Sequence, residues 1–166
     1  MVEPKMRTVA IVLGFVILTL DLLTKWWIRN ASWLHDYSVI DGFFKIHYVQ
    51  NEGIAFGLFH TSQSPWKEII LSVLAIVAVI VVIYYIWSTP LNQPQLLMSL
   101  GLLLGGILGN FLERIVHHHV TDFIEVYWQD RFRWPTFNVA DAAITCGVLF
   151  ILYESFMGEE SESTRQ

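Results

Sequence analysis

Cysteine is almost missing from this chain. Cys146 is the only one among 166 residues, so no intrachain disulfide is available and the redox compartment cannot be read from cysteine usage. Charge is scarce as well. Asp, Glu, Lys and Arg together make up 15% of the residues and the net charge is −5. With no basic stripe and no recognition motif, nothing points to nucleic acid as a partner. No HExxH metalloprotease pattern is present. Three of the six histidines, His117, His118 and His119, are consecutive. Neighbours on a helix do not share a face, so they read as an interfacial polar patch. A serine or cysteine nucleophile would need a histidine nearby. Cys146 has none in view and reads as a small packing residue. There is no internal repeat and no low-complexity segment.

What the chain has in quantity is apolar surface. Hydrophobic residues account for 54% of it, and the mean hydropathy is +0.49. That is too apolar for an ordinary soluble domain. Four runs are long enough to cross a bilayer, which takes about 20 residues each: Thr8–Ile28, Trp66–Trp87, Leu96–Ile115 and Val139–Met157. The first continues past Asp21 to Trp26 and Trp27 without a convincing small-x-small cleavage site, and reads as a retained span. The predicted architecture is an α-helical membrane protein of one domain, residues 1–157. The acidic end from Gly158 to Gln166 reads as a solvated, disordered tail.

Four spans put both termini on one side. Lys5 and Arg7 before the first span favour a cytoplasmic N-terminus. Arg29, Lys45, Lys67, Arg131 and Arg133 then fall outside, against the charge rule, but first spans usually dominate. Spans two and three are joined by the tight Ser88–Gln95, with Pro90 and Pro94. The two longer connections lie on the opposite, extracytoplasmic face. In the first, Phe44, Ile46 and Tyr48 alternate with Lys45 and His47, a strand pattern. Asn51-Glu52-Gly53 is a turn, and Ile54–Phe59 could return as a second strand. A small aromatic β-sheet within about 36–60 is expected. The connection between spans three and four, with Tyr127, Trp128 and Trp134, suits the membrane–water boundary as a short interfacial segment.

The acids define the candidate site. Asp122 follows span three by a few residues, and Asp141 opens span four. If the two helices are antiparallel neighbours, both acids reach the same depth. Pro135 stops any preceding helix, and Asn138 is a good N-cap. Asp141 then takes the third helical position, where the helix dipole favours negative charge. Alone, Asp141 is a capping residue and Asp122 a solvated loop charge. Together at the edge of the hydrocarbon they suggest a shared-proton dyad. Two carboxylates about 3 Å apart cannot both ionise cheaply. One can activate water against a peptide carbonyl and the other can hydrogen-bond the carbonyl oxygen, with no metal, cofactor or covalent intermediate. Asp21 and Lys25, four apart, can pair on one helix face. Asn110 is an interhelical hydrogen bonder. Arg114 can bind a phosphate or peptide carbonyl, pair with Glu113, or snorkel. Gly101, Gly105 and Gly109 form a small-residue face on span three.

Five motifs occur in order: DLLTK at Asp21–Lys25, NEGIAFG at Asn51–Gly57, GGILGNFLER at Gly105–Arg114, VTDFI at Val120–Ile124 and FNVAD at Phe137–Asp141. Across nearly the whole chain they resemble signal peptidase II, the bacterial lipoprotein signal peptidase family. Glu113 stands where that family commonly has Asp, and Thr121 where it has a small apolar residue. The resemblance implies a membrane aspartyl endopeptidase of the bacterial inner membrane. It would cut prolipoproteins on the N-terminal side of a diacylglyceryl-modified cysteine, with the site near the extracytoplasmic face. It implies Asp122 and Asp141 as the catalytic pair. Asn51, Gly53, Asn110, Arg114, Asn138 and Ala140 would line or support the site, with Asp21 and Lys25 behind them. Membrane lipid is an implied partner and the cyclic peptide antibiotic globomycin an implied inhibitor. Two other classes compete. A proton- or ion-coupled transporter would want acids deep within broken spans. A non-catalytic assembly factor built on the glycine face would not need two aspartates.

Overall fold

The computed structural model describes residues 3–53, 66–129 and 131–163. Four long helices carry the chain: α1 (Glu3–Asn30), α2 (Trp66–Ser88), α3 (Pro94–His117) and α4 (Val139–Ser163). All four are long and apolar enough to cross a membrane. Their outward faces carry large apolar residues, among them Phe15, Ile69, Leu74, Ile80 and Phe150. In water such a belt would be an aggregation surface; in lipid it faces its proper solvent.

Four strands form one antiparallel sheet in the order β1 (Asp36–Ile40), β2 (Phe44–Asn51), β3 (Val120–Trp128), β4 (Phe132–Arg133). The alternation at Phe44–Tyr48 is the start of β2. The expected return at Ile54–Phe59 lies outside the described residues. The connection between α3 and α4 is not a separate interfacial segment. It supplies β3 and β4, which extend the β1–β2 hairpin. The physical reason is burial on both faces: Val120, Thr121, Asp122 and Phe123 are all covered, so the two-residue alternation that marks a half-exposed strand is absent.

Helix α3 is the axis of the bundle and packs against α1, α2 and α4, whereas α2 and α4 share little or no direct packing. Its small residues allow this. A Cβ at Gly101 or Gly105 would run into the backbone of Ala10 or Gly14 on α1, and one at Gly106 would lie 2.6 Å from the Ala140 carbonyl oxygen on α4. The expected packing role of the glycine face is thus observed. Pro94 starts α3, where its missing N–H costs nothing. His118 ends it in the left-handed conformation, with φ 62°. That reversal sends the chain into β3 two residues later. The 3-10 turn Ser32–Leu34 after α1 contributes Leu34 to a core with Ile28, Ala31 and Phe123, which seats the sheet on the C-terminal end of α1.

Helix α4 is described as far as Ser163. One expectation is corrected here. Cys146 is not a packed core residue. It is exposed on α4, because the face it occupies is turned toward the gap beside α2.

Candidate active site

Asp122 and Asp141 are brought to the wall of one cavity of about 570 Å³, at the end of the bundle that carries the sheet. Asn51, Asn110 and Arg114 line the same cavity, with Val120, Trp134, Thr136 and Phe137 around them. Leu71 of α2 and Ile144 and Cys146 of α4 line its other part, in the gap between those helices.

Strand register places Asp122. In the β2–β3 ladder Asn51 faces Val120 and Val49 faces Asp122. Asn51 is therefore diagonal to Asp122 on one face of the sheet. Its Nδ2 donates to Asp122 Oδ2 at 2.9 Å, and its Oδ1 accepts the Gly53 N–H at 2.8 Å. Asn51 thus both shapes its turn and holds the acid. Phe137 pairs with Ile124 through backbone bonds in both directions, which lays the entry to α4 beside β3.

That brings Asn138 to Asp122. Asn138 is fully buried. Its Nδ2 donates to Asp122 Oδ1 at 2.7 Å and to Asn110 Oδ1 at 3.2 Å. Its Oδ1 accepts the Asp141 N–H at 2.9 Å, while the Asp141 carboxylate accepts the Asn138 N–H at 3.2 Å. This is a reciprocal helix cap with Asp in the place usually held by Glu. The predicted N-cap is present, and the same side chain links the two aspartates. Asn110 Nδ2 adds a third donor, to Asp141 Oδ1 at 2.7 Å.

Asp122 is 2% exposed. Burial, and then the charge of Asp141, push its carboxyl up to about 7, with the bonds from Asn51 and Asn138 pulling the other way. Arg114 takes the peptide-carbonyl role among those open to it. Its guanidinium donates to the Gly53 carbonyl at 2.8 Å, clasping the turn after β2 over the site.

Behind the aspartates lies a buried ionic core. Lys25 and Asp21 are both fully buried and 2.7 Å apart, the predicted pair. Lys25 also donates to Asn110 Oδ1 at 2.8 Å and lies 3.1 Å from Glu113. Asp21 accepts the Ala140 N–H at 2.9 Å, directly before Asp141. Gly109 has no side chain because a Cβ there would sit 2.5 Å from the Asp21 carboxylate. Buried charges persist only when each is paired in this way. Glu113 and Arg29 belong to the same core, and neither was singled out as a site residue. A signal was present. Glu113 continues the four-residue spacing of Gly101, Gly105 and Gly109, and Arg29 continues that of Asp21 and Lys25, so a charged stripe on α1 faces a small-residue stripe on α3 that ends in an acid.

Fold and site define an α-helical, multi-pass membrane protein with two aspartates joined at one end of its bundle. A family model described as signal peptidase (SPase) II matches residues 13–157. A lipoprotein signal peptidase from Solibacter usitatus (strain Ellin6076) is 40% identical over 152 residues, covering 91% of this chain and 92% of that protein. One from Syntrophus aciditrophicus (strain SB) is 34% identical over 149 residues, covering 89% and 92%. A bacterial membrane enzyme solved by the in meso method at 2.3 Å resolution superposes with a TM-score of 0.79 at 26% identity, over 93% of this chain and 91% of that one. The chain belongs to the signal peptidase II family, and is a membrane peptidase of the aspartic class.

Proposed function

We propose that Asp122 and Asp141 are the catalytic pair that removes signal peptides from prolipoproteins, cutting on the N-terminal side of a cysteine that already carries diacylglycerol. The observation that carries this reading is the linkage of a buried and a half-buried carboxyl through one asparagine at the wall of the cavity. Near neutral pH the Asp122 carboxyl, titrating at about 7, retains a proton to give. Asp141 sits in the first turn of α4 and accepts two N–H donors, which orient its carboxyl toward the cavity that both acids line.

A water bound between them loses a proton to Asp141 as its oxygen attacks the scissile carbonyl carbon. Asp122 gives its proton to the carbonyl oxygen, forming a neutral diol. Collapse of the diol returns that proton to Asp122, while Asp141 passes its own to the leaving nitrogen. The C–N bond breaks and the starting state is restored. Arg114 and Asn51 stand at the wall where a peptide backbone would run. The apolar gap between Leu71 and Ile144 suits the acyl chains of the lipidated cysteine. Both termini are assigned to the cytoplasm, with the sheet and the dyad at the extracytoplasmic face, on the strength of Lys5 and Arg7 before α1. Globomycin is expected to inhibit.

The test is a gel-shift assay on a diacylglyceryl-modified precursor. Asp122→Asn and Asp141→Asn should each abolish cleavage in folded protein, whereas Cys146→Ala and added chelator should leave it intact. Cleavage at the normal rate by either amide variant refutes the assignment.

A further inference from the structure

Glu113 is 2% exposed, yet it is not needed to cap a helix or to line the cavity. Its Oε2 accepts the backbone N–H of Thr121 at 3.1 Å, and Thr121 is the residue before Asp122. Its Oε1 accepts from Arg29, whose guanidinium also lies 3.4 Å from the Thr121 hydroxyl. Lys25 closes the other side at 3.1 Å. One carboxylate therefore ties the last turn of α3 to the first residues of β3, and two cations of α1 fix where that carboxylate sits.

The sheet alone does not fix that point. The β2–β3 register is regular from Phe44 to Ile46 and again from Val49 to Asn51, but it slips between Ile46 and Val49, immediately beside the pairing of Val49 with Asp122. A bulge of this kind interrupts the ladder locally and re-aims the side chains next to it. The Asp122 carboxylate is held at both oxygens by Asn51 and Asn138, so a shift of its backbone strains both bonds.

We propose that Glu113 is a positioning residue for Asp122, acting through the Thr121 N–H and locked from outside by Arg29. This rests on the reading of Asp122 as catalytic. Glutamate at position 113 has the reach to hold both Arg29 and the strand, and threonine at 121 offers Arg29 a hydroxyl.

The test separates reach from charge. Glu113→Gln keeps an oxygen for the Thr121 N–H; Glu113→Met keeps similar volume without an acceptor. Both remove the same charge, so both lower the unfolding temperature. Precursor cleavage is then measured per folded enzyme. A misplacement of about 1 Å can cost about 100-fold in rate, so kcat for Glu113→Met should fall at least about 10-fold below that for Glu113→Gln, with KM unchanged within about twofold. Equal kcat for the two overturns the proposal. Asp122→Asn runs beside them. If it is active, the catalytic reading itself has failed; if it is inactive while the two Glu113 variants match, only the positioning role has failed. Should Glu113→Met not fold, Arg29→Met decides. It leaves the buried carboxylate in place, and a several-fold drop in kcat at constant KM is expected. An unchanged kcat overturns the proposal.

Discussion

Replacing Asn138 separates the stability of the site from its proton affinity. The side chain does two jobs with two atoms. Oδ1 caps α4 through the Asp141 N–H, and Nδ2 donates to the Asp122 carboxylate at 2.7 Å. Asn138→Ala removes both. Asn138→Ser retains a capping oxygen but cannot reach Asp122 with an N–H. The lost cap is worth about 1 kcal/mol, so the alanine variant should be about that much less stable than the serine variant in detergent unfolding. The lost bond to Asp122 is common to both. A hydrogen bond to a charged group contributes about 1.5–3 kcal/mol, which corresponds to about one to two pH units in the titration of the acceptor. The sign is set by which form the bond favours. Nδ2 donates to the ionised carboxylate, so its loss leaves Asp122 protonated to higher pH than the present value of about 7. Activity that requires a protonated Asp122 declines as pH rises through that value. In both variants the alkaline limb should therefore move upward by about one unit or more. The assay is the pH profile of precursor cleavage alongside thermal unfolding. A limb that stays put, or moves down, refutes the reasoning, as does a serine variant no more stable than alanine.

Three further outcomes are expected. Gly109→Ala puts a methyl 2.5 Å from the Asp21 carboxylate, so it should disturb the Lys25 pair and lower unfolding temperature by the equivalent of about 1–3 kcal/mol. His118→Gly relieves a left-handed residue at the end of α3 and loses only an exposed contact to Glu68, so it should stabilise slightly, by up to about 1 kcal/mol. For Asp122 itself, a folded-state value raised from 3.8 to about 7 means the native protein holds the proton more tightly than the unfolded chain. Its contribution to stability is present in full below about pH 4 and is lost as pH rises through 7. Asp122→Asn should flatten that part of the stability–pH curve.

Much of this molecule could be read from the order of its residues because a bilayer imposes strong rules. Twenty apolar residues in a row have few alternatives, so the four helices were legible. So was the Asn138 cap, since Pro135 and Asp141 bracket it in a few residues. The Asp21–Lys25 pair followed from helical spacing alone. The sheet was half legible. Strand β2 alternates, but β3 is buried on both faces and carries Asp122 and Glu125, so it looks like a polar loop until β2 is laid beside it. That pairing joins segments about seventy residues apart, and no local pattern encodes it. The same holds for Glu113. Next to Arg114 in the chain it reads as a surface ion pair, and only the approach of α1 at the glycine face turns it inward. Cys146 was misread for a related reason. Burial on an apolar helix depends on which neighbour is present, and α2 is not close enough to α4 to cover it.

On the function proposed above, the gap between α2 and α4, which Leu71 and Cys146 both line, sets how the reactant arrives. A substrate tethered by fatty acyl groups would be confined with the peptidase to the same thin sheet of lipid, and the two would meet by wandering in two dimensions. Rate depends on molecules per unit area, not per unit volume. A competitor must dissolve in the same layer before its fit to the aspartates matters, and a peptide of matching sequence without an acyl anchor would be held back by partition alone.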